Sequence, residues 1–226
     1  MEFRVKRLEL KYFMNLQEAY LLQSRISQVM DPDPHNRQGG YFIRSLYFDN
    51  WLNTSFHEKM EGLGQRAKFR LRIYEFPPKI VKFELKQKDD DHIVKQVASI
   101  RREDLGAIQA GDYERLLSYR NRVLNQIYYR LKRHFYEPIV VVDYHRMAYY
   151  LDYNHIRITM DTRLKRSREV TEFENPDLMT LPVLQKNHVI LEIKYNDFLP
   201  KWIGDLFRGV RLTRCANSKY CFSRLV

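Results

Sequence analysis

Cysteine is almost missing from this chain: Cys215 and Cys221 are the whole complement in 226 residues. Two thiols support neither a disulfide framework nor a zinc site, and a reducing, cytoplasmic setting is the simplest expectation. No stretch approaches 18 uncharged apolar residues, so no spanning helix is expected. The opening run to Lys11 is charged and lacks the apolar segment of a signal peptide. No Gly-x4-Gly-Lys-Ser/Thr loop occurs, which removes the P-loop nucleotide sites. His134, His155 and His188 lack the spacing of a metal pair and read as structural or surface residues. There is no internal repeat, low-complexity tract or linker, so residues 1–226 are read as one domain. Acidic residues are outnumbered, 28 against 39 Lys and Arg, which leaves a net charge of +11. Such a field concentrates anions, whether nucleic acid, acidic lipid or a small polyanion, and charge alone does not choose among them.

What is present is alternation. From Glu2 to Phe13, Leu8, Leu10 and Tyr12 fall on one side and Arg7, Glu9 and Lys11 on the other, as in a strand with one apolar and one charged face. Asn15 followed by Glu18 marks a helix start, with Ala19, Leu22, Ile26 and Val29 as its apolar stripe and Asp31-Pro-Asp-Pro-His as its stop. Gly39-Gly40 opens a strand from Tyr41 to Asp49, and a polar loop runs to Gly64. In Lys68 to Tyr74, Lys68, Arg70 and Arg72 share a face; in Ile80 to Lys88, Lys82, Glu84, Lys86 and Lys88 do. Pro77-Pro78 joins these runs as a hairpin. Val94 to Ile100 is a weaker strand. Residues 103–135 read as helix in two pieces broken near Gly111. Strands follow at 138–150, 155–163 and 188–195, then a short helix from Pro200 to about Gly209.

A surface strand ordinarily hides its apolar face and wets its charged one. The repetition here favours another arrangement, in which helices cover the apolar side of a curved sheet and the charged side faces inward. Two like charges about 5 Å apart repel by about 3 kcal/mol at an effective dielectric of 20. Buried cations therefore need counter-charge. Glu9, Glu84 and Glu192 give some, and a bound polyanion would give more. Arg suits phosphate through its planar fork, and Lys acts as a mobile point charge.

The residues involved resemble the VTC domain, the polyphosphate polymerase branch of the triphosphate tunnel, or CYTH-like, metalloenzymes. The resemblance runs along almost the whole chain. It is carried by Glu9-Leu-Lys11-Tyr12, Ser45-Leu-Tyr-Phe-Asp49, and Gly62 through Arg66 with Lys68, Arg70 and Arg72. Phe83-Glu84-Leu-Lys86, Lys95, Tyr144-His-Arg146, Arg157-Ile-Thr-Met-Asp161, Leu191-Glu192-Ile-Lys194 and Ser218-Lys219-Tyr220 complete it. It implies an α+β fold: an antiparallel β-barrel tunnel with helices packed outside.

The resemblance also assigns roles. Arg70, Arg72, Lys86, Arg146 and Arg157 become the catalytic phosphate contacts; Lys11, Lys95, Ser218 and Lys219 bind phosphate near the walls. Lys68, Lys82, Lys88, Arg163 and Lys194 share those faces and could sit at the tunnel mouths. Glu192 is the candidate ligand for Mn²⁺ or Mg²⁺, with an ion-pair role as its bland alternative. Many tunnel triphosphatases carry Glu-x-Glu-x-Lys in the first strand. Position 7 is arginine in this chain, which disfavours a two-metal hydrolase. The implied activity is ATP:polyphosphate phosphotransfer. A non-catalytic polyphosphate-binding module and a metal-dependent triphosphatase are the alternatives. The implied partners are ATP and polyphosphate or another polyanion, with nucleic acid not expected and a membrane partner protein possible.

Overall fold

The computed structural model describes residues 7–36, 39–90, 92–216 and 218–225. The alternation expected at Glu2 to Lys6 lies outside them. The elements begin with β1 (Arg7–Asn15), α1 (Leu16–Ile26), β2 (Asp31–Pro32), β3 (Tyr41–Asp49) and α2 (Thr54–Met60). Next come β4 (Arg66–Ile73), β5 (Val81–Asp89), β6 (His92–Ile100), α3 (Leu105–Gln109) and α4 (Arg122–Arg133). Then follow β7 (Glu137–Leu151), β8 (Ile156–Ser167), β9 (Leu181–Pro182), β10 (His188–Asn196), α5 (Lys201–Asp205), β11 (Thr213–Arg214) and α6 (Lys219–Leu225). Among the described residues no helix is long and apolar enough to cross a membrane.

The backbone clusters into two compact units. The first holds the chain through Phe42, Tyr144–Leu164 and Leu184–Ala216. Its ladders run β11-β1-β10-β8, all antiparallel. Met14, Ile156, Ile158, Met160, Val189, Leu191 and Ile193 point to one side of this sheet and bury against Ala19, Leu22 and Ile26 of α1 and Ile203 of α5. The Asn15–Glu18 capping box forms as expected: Asn15 Oδ1 accepts from Glu18 N at 2.8 Å and Glu18 Oε2 from Asn15 N at 3.3 Å. Val29 does not extend the stripe. The helix ends at Ile26, and Val29 is exposed in the turn that follows.

The second unit holds Ile43–Asp143, Lys165–Val183 and α6. Its ladder runs β3-β4-β5-β6, again antiparallel, with the expected β4–β5 hairpin. Leu46, Phe48, Phe69, Leu71, Ile73, Val81, Phe83 and Leu85 form one face of it. Leu105 and Ile108 of α3, Leu116, and Leu124, Ile127 and Leu131 of α4 cover that face. Helices thus satisfy the apolar side, as expected, which leaves the other side to the charged residues.

Three expectations are corrected. Residues 50–64 are not all loop, because α2 lies within them. Its start is held by the end of β3 and the residue after it: Asp49 Oδ1 accepts from Ser55 N at 2.9 Å, Asp49 Oδ2 from Phe56 N at 3.1 Å and Asn50 Oδ1 from Thr54 N at 3.0 Å. The stretch at 103–135 breaks twice rather than once, at Gly111 (φ +92°) and at Arg120 (φ +48°), with a 3-10 segment at Tyr113–Tyr119 between. The closed barrel is also not reached within either unit, since neither ladder returns to its first strand. β11, two residues long, is too short to carry a ladder onward. The fold is antiparallel α+β.

Candidate functional site

The second unit's uncovered sheet face is a field of cations. Strand register sets its rows: Ser45 beside Arg72, Lys82 and Ser99; Tyr47 beside Arg70, Glu84 and Val97; Lys68 beside Lys86 and Lys95; Arg66 beside Lys88 and Ile93. Period-two alternation puts all of these on one side. Glu84 is the single carboxylate among those positions. Its side chain is 3% exposed. Arg70 Nε donates to Glu84 Oε2 at 2.6 Å, and Lys95 Nζ to Oε1 at 2.8 Å. Burial works to raise the Glu84 pKa, but Arg70, Arg72 and Lys95 outweigh it and bring it down to about 2. Lys95 is pulled below the ordinary lysine value by burial, and the Arg70 and Arg72 charges add to this against Glu84.

The remaining groups on this face hold the arginines in place. Tyr47 Oη accepts from Arg70 Nη1 at 3.1 Å, and Ser45 Oγ from Arg72 Nε at 3.1 Å. Lys68 Nζ donates to Ser218 Oγ at 2.8 Å and lies 5.1 Å from the centre of the Tyr220 ring. Tyr220 is buried, its hydroxyl donating to Asp49, and burial plus that carboxylate push its pKa up. Thus α6 is pinned beside the face at Ser218 and Tyr220, with Lys219 half-buried between them. The structure brings Arg70, Arg72, Lys86, Lys95 and Ser218 into one neighbourhood.

The first unit's charged face is balanced instead. Register aligns Lys11 with Glu192 and Thr159, and Glu9 with Lys194 and Arg157. Lys11 Nζ lies 2.6 Å from Glu9 Oε1 and 3.9 Å from Glu192 Oε2. Lys194 pairs with Glu192 and lies 3.8 Å from Glu9 Oε2. Burial lowers the Lys11 pKa, but Glu192 and Glu9 outweigh it and leave it raised. Arg146 binds Asp161 through two hydrogen bonds of 2.7 and 2.8 Å, and the Asp161 side chain is fully buried. Asp161 outweighs the burial of Arg146 and raises its pKa. Arg157 Nη2 donates to Asp33 Oδ2 at 2.6 Å. Arg163 is exposed, on left-handed backbone at φ +54°.

No group of three or more His, Cys, Asp or Glu is arranged to hold a metal among the described residues. Glu192 and Glu9, bridged by the same two lysines, form an oxygen-only pair. That fits a Mg²⁺ or Mn²⁺ which takes one or two carboxylates and completes its shell with water and substrate oxygens. Reading the sequence missed the partners. Asp161 was visible inside the Arg157 segment, and Ser45 and Tyr47 on the polar parity of β3. Nothing local pointed to Asp33, or to Asp143, whose two oxygens receive Nε and Nη2 of buried Arg44 at 2.8 and 2.7 Å.

The VTC domain pattern matches residues 6–226. No curated protein matches the sequence. Among solved structures, one from Hippeastrum, described as an adenylyl cyclase candidate with a dominant triphosphatase activity, superposes with a TM-score of 0.59 at 12% identity. That match covers 97% of this chain and 95% of the other. A chain of the Schizosaccharomyces pombe Mediator head module aligns with a TM-score of 0.50 at 9% identity, covering 92% and 99% of the two chains. At such identities the likeness is one of fold, and the same fold serves unrelated roles. The family pattern spans nearly every residue, including both charged faces, and the chain belongs to the VTC domain family.

Proposed function

We propose that this chain is an ATP:polyphosphate phosphotransferase of the VTC type. The observation that carries the reading is the second unit's sheet face, where Arg66, Lys68, Arg70, Arg72, Lys82, Lys86, Lys88 and Lys95 stand in register around the carboxylate of Glu84, which pairs with Arg70 and Lys95. Helices cover the opposite side of those strands, so the dense positive charge lies on the uncovered side, and a chain of closely spaced phosphates matches it in sign and spacing. Nucleic acid carries phosphate less densely and brings bases, for which this face offers few aromatic platforms.

In the reaction, a terminal oxygen of the acceptor polyphosphate attacks the γ-phosphorus of ATP. The bond from that phosphorus to the β-bridging oxygen breaks, and ADP leaves. Such transfer needs alignment and charge neutralisation rather than a protein nucleophile. Arg70, Arg72 and Lys86 hold phosphate oxygens, with Lys95, Ser218 and Lys219 as further contacts. Lys11, Arg146 and Arg157 are the contacts proposed for the first unit, where each must share its present carboxylate partner with the anion. Glu192 is the proposed holder of Mn²⁺ or Mg²⁺, with Glu9 beside it. When bound, the ion supplies charge neutralisation at phosphate oxygens. ATP as donor implies the cytoplasm as the working compartment.

The test is the purified chain with ATP and Mn²⁺, followed by gel analysis for long-chain polyphosphate. Polyphosphate and ADP together support the reading. Orthophosphate release without chain growth replaces it with a triphosphatase, as described for the Hippeastrum protein. Intact ATP with tight polyphosphate binding replaces it with an anion-binding module.

A further inference from the structure

Among the paired charges of the first unit's face lies one buried polar group without a hydrogen-bond partner. Thr159 is 2% exposed, and its hydroxyl has no hydrogen-bond partner among the described residues. It sits on β8 directly across from Glu192, which in turn sits across from Lys11. Directly opposed side chains in an antiparallel pair have Cβ atoms about 5 Å apart, so Thr159 and Glu192 are neighbours on this face, with no hydrogen bond between them. On its own strand face Thr159 is flanked by Arg157 and Asp161, two residues away on either side. Arg157 is committed to Asp33, and Asp161 to Arg146. Lys194 and Lys11 hold Glu192 from other sides.

A buried hydroxyl without a partner is destabilising, while valine in the same place fills nearly the same volume with no such penalty. Packing alone therefore does not account for a threonine here. A ligand that brings its own oxygen does. A bare phosphate oxygen placed against Glu192 would be repelled by it, whereas a hydrated divalent cation held by Glu192 presents waters outward. Those waters need acceptors within the protein.

We propose that Thr159 is a positioning residue for the carboxylate end of the site, its hydroxyl accepting a hydrogen bond from a water of a divalent cation held by Glu192. The inference rests on the phosphotransferase reading and adds to it a group that orients the hydrated ion. Thr159 does not touch the transferred phosphorus. Its role would be to orient an ion-bound water rather than to contact phosphate.

The test measures tripolyphosphate binding by titration calorimetry for the wild type, Thr159→Val and Thr159→Ser, each with Mn²⁺ and with a chelator. A single hydrogen bond in such a setting corresponds to about ten-fold in affinity. Thr159→Val is expected to weaken Mn²⁺-dependent binding by that factor and to leave binding in chelator unchanged. Thr159→Ser is expected to restore it. Thermal unfolding of the metal-free Thr159→Val protein is expected at or above the wild-type temperature, since an unpaired polar group has been removed. Equal affinities for wild type and Thr159→Val in Mn²⁺ overturn the inference and leave the function standing. So does an equal loss in Mn²⁺ and in chelator, which places the hydroxyl on the anion itself. A wild type that binds no tripolyphosphate overturns the functional reading, and this inference with it.

Discussion

Replacing Glu84 with glutamine removes the carboxylate that pairs with Arg70 and Lys95 on the second unit's cationic face while keeping the side chain's shape. The carboxylate pKa falls from 4.5 to about 2 in the folded protein, a difference that corresponds to about 3 kcal/mol of folding stability. The group is buried, so solvent screening takes little from that figure. The sign follows from the direction of the shift. A carboxylate with a depressed folded pKa stabilises fully above the unfolded value near 4.5 and loses that contribution as pH falls towards about 2. Glu84→Gln should therefore unfold at lower urea than wild type at pH 7, by about 3 kcal/mol, and the gap should narrow steadily below pH 4.5. Arg70 and Lys95 lose their shared partner in the variant, which leaves a larger deficit of counter-charge. Added tripolyphosphate should then stabilise Glu84→Gln more than it stabilises wild type, because the anion takes over the role of the lost carboxylate. Urea titrations at pH 7 and pH 3, with and without tripolyphosphate, read all of this. Equal stabilities at pH 7 would mean that the cations do not need Glu84. Equal tripolyphosphate stabilisation of both proteins would place the anion elsewhere, and either result refutes the reasoning.

Asp161→Asn should cost about 3–5 kcal/mol in chemical denaturation, because it strands the buried Arg146 guanidinium without its bidentate partner. Gly40→Ala should destabilise by at least about 2 kcal/mol in the same assay: the backbone is at φ +132°, and the new methyl would meet His145 Cε1 at 2.5 Å and the Arg146 carbonyl oxygen at 2.6 Å. Asn15→Ala should cost about 1 kcal/mol by removing the acceptor of the α1 capping box, with little effect on tripolyphosphate affinity. Arg70→Ala should weaken tripolyphosphate binding at least about ten-fold, and raising salt should weaken the wild type steeply, since the attraction is between opposite charges; calorimetry across a salt series checks both.

Much of this protein is written locally. Alternation in Lys68 to Tyr74 and Ile80 to Lys88 determines that Arg70, Arg72, Lys82, Glu84 and Lys86 share a side, because side chains on a strand change face at every residue whatever the strand pairs with. Asn15 and Glu18 determine where α1 starts, because the capping box closes within four residues. The tertiary structure decided what each charge meets. Arg146 and Arg157 looked like Arg70 and Arg72 in sequence, yet Asp161 and Asp33 neutralise the first pair while the second shares one glutamate. Strand register sets those pairings, and register depends on elements far apart in the chain. The start of α2 was hidden for a different reason: its acceptors, Asp49 and Asn50, lie four to seven residues ahead of the groups they hold, outside the usual N-cap spacing. Periodicity announces a face; only folding shows whether its charge is already spent.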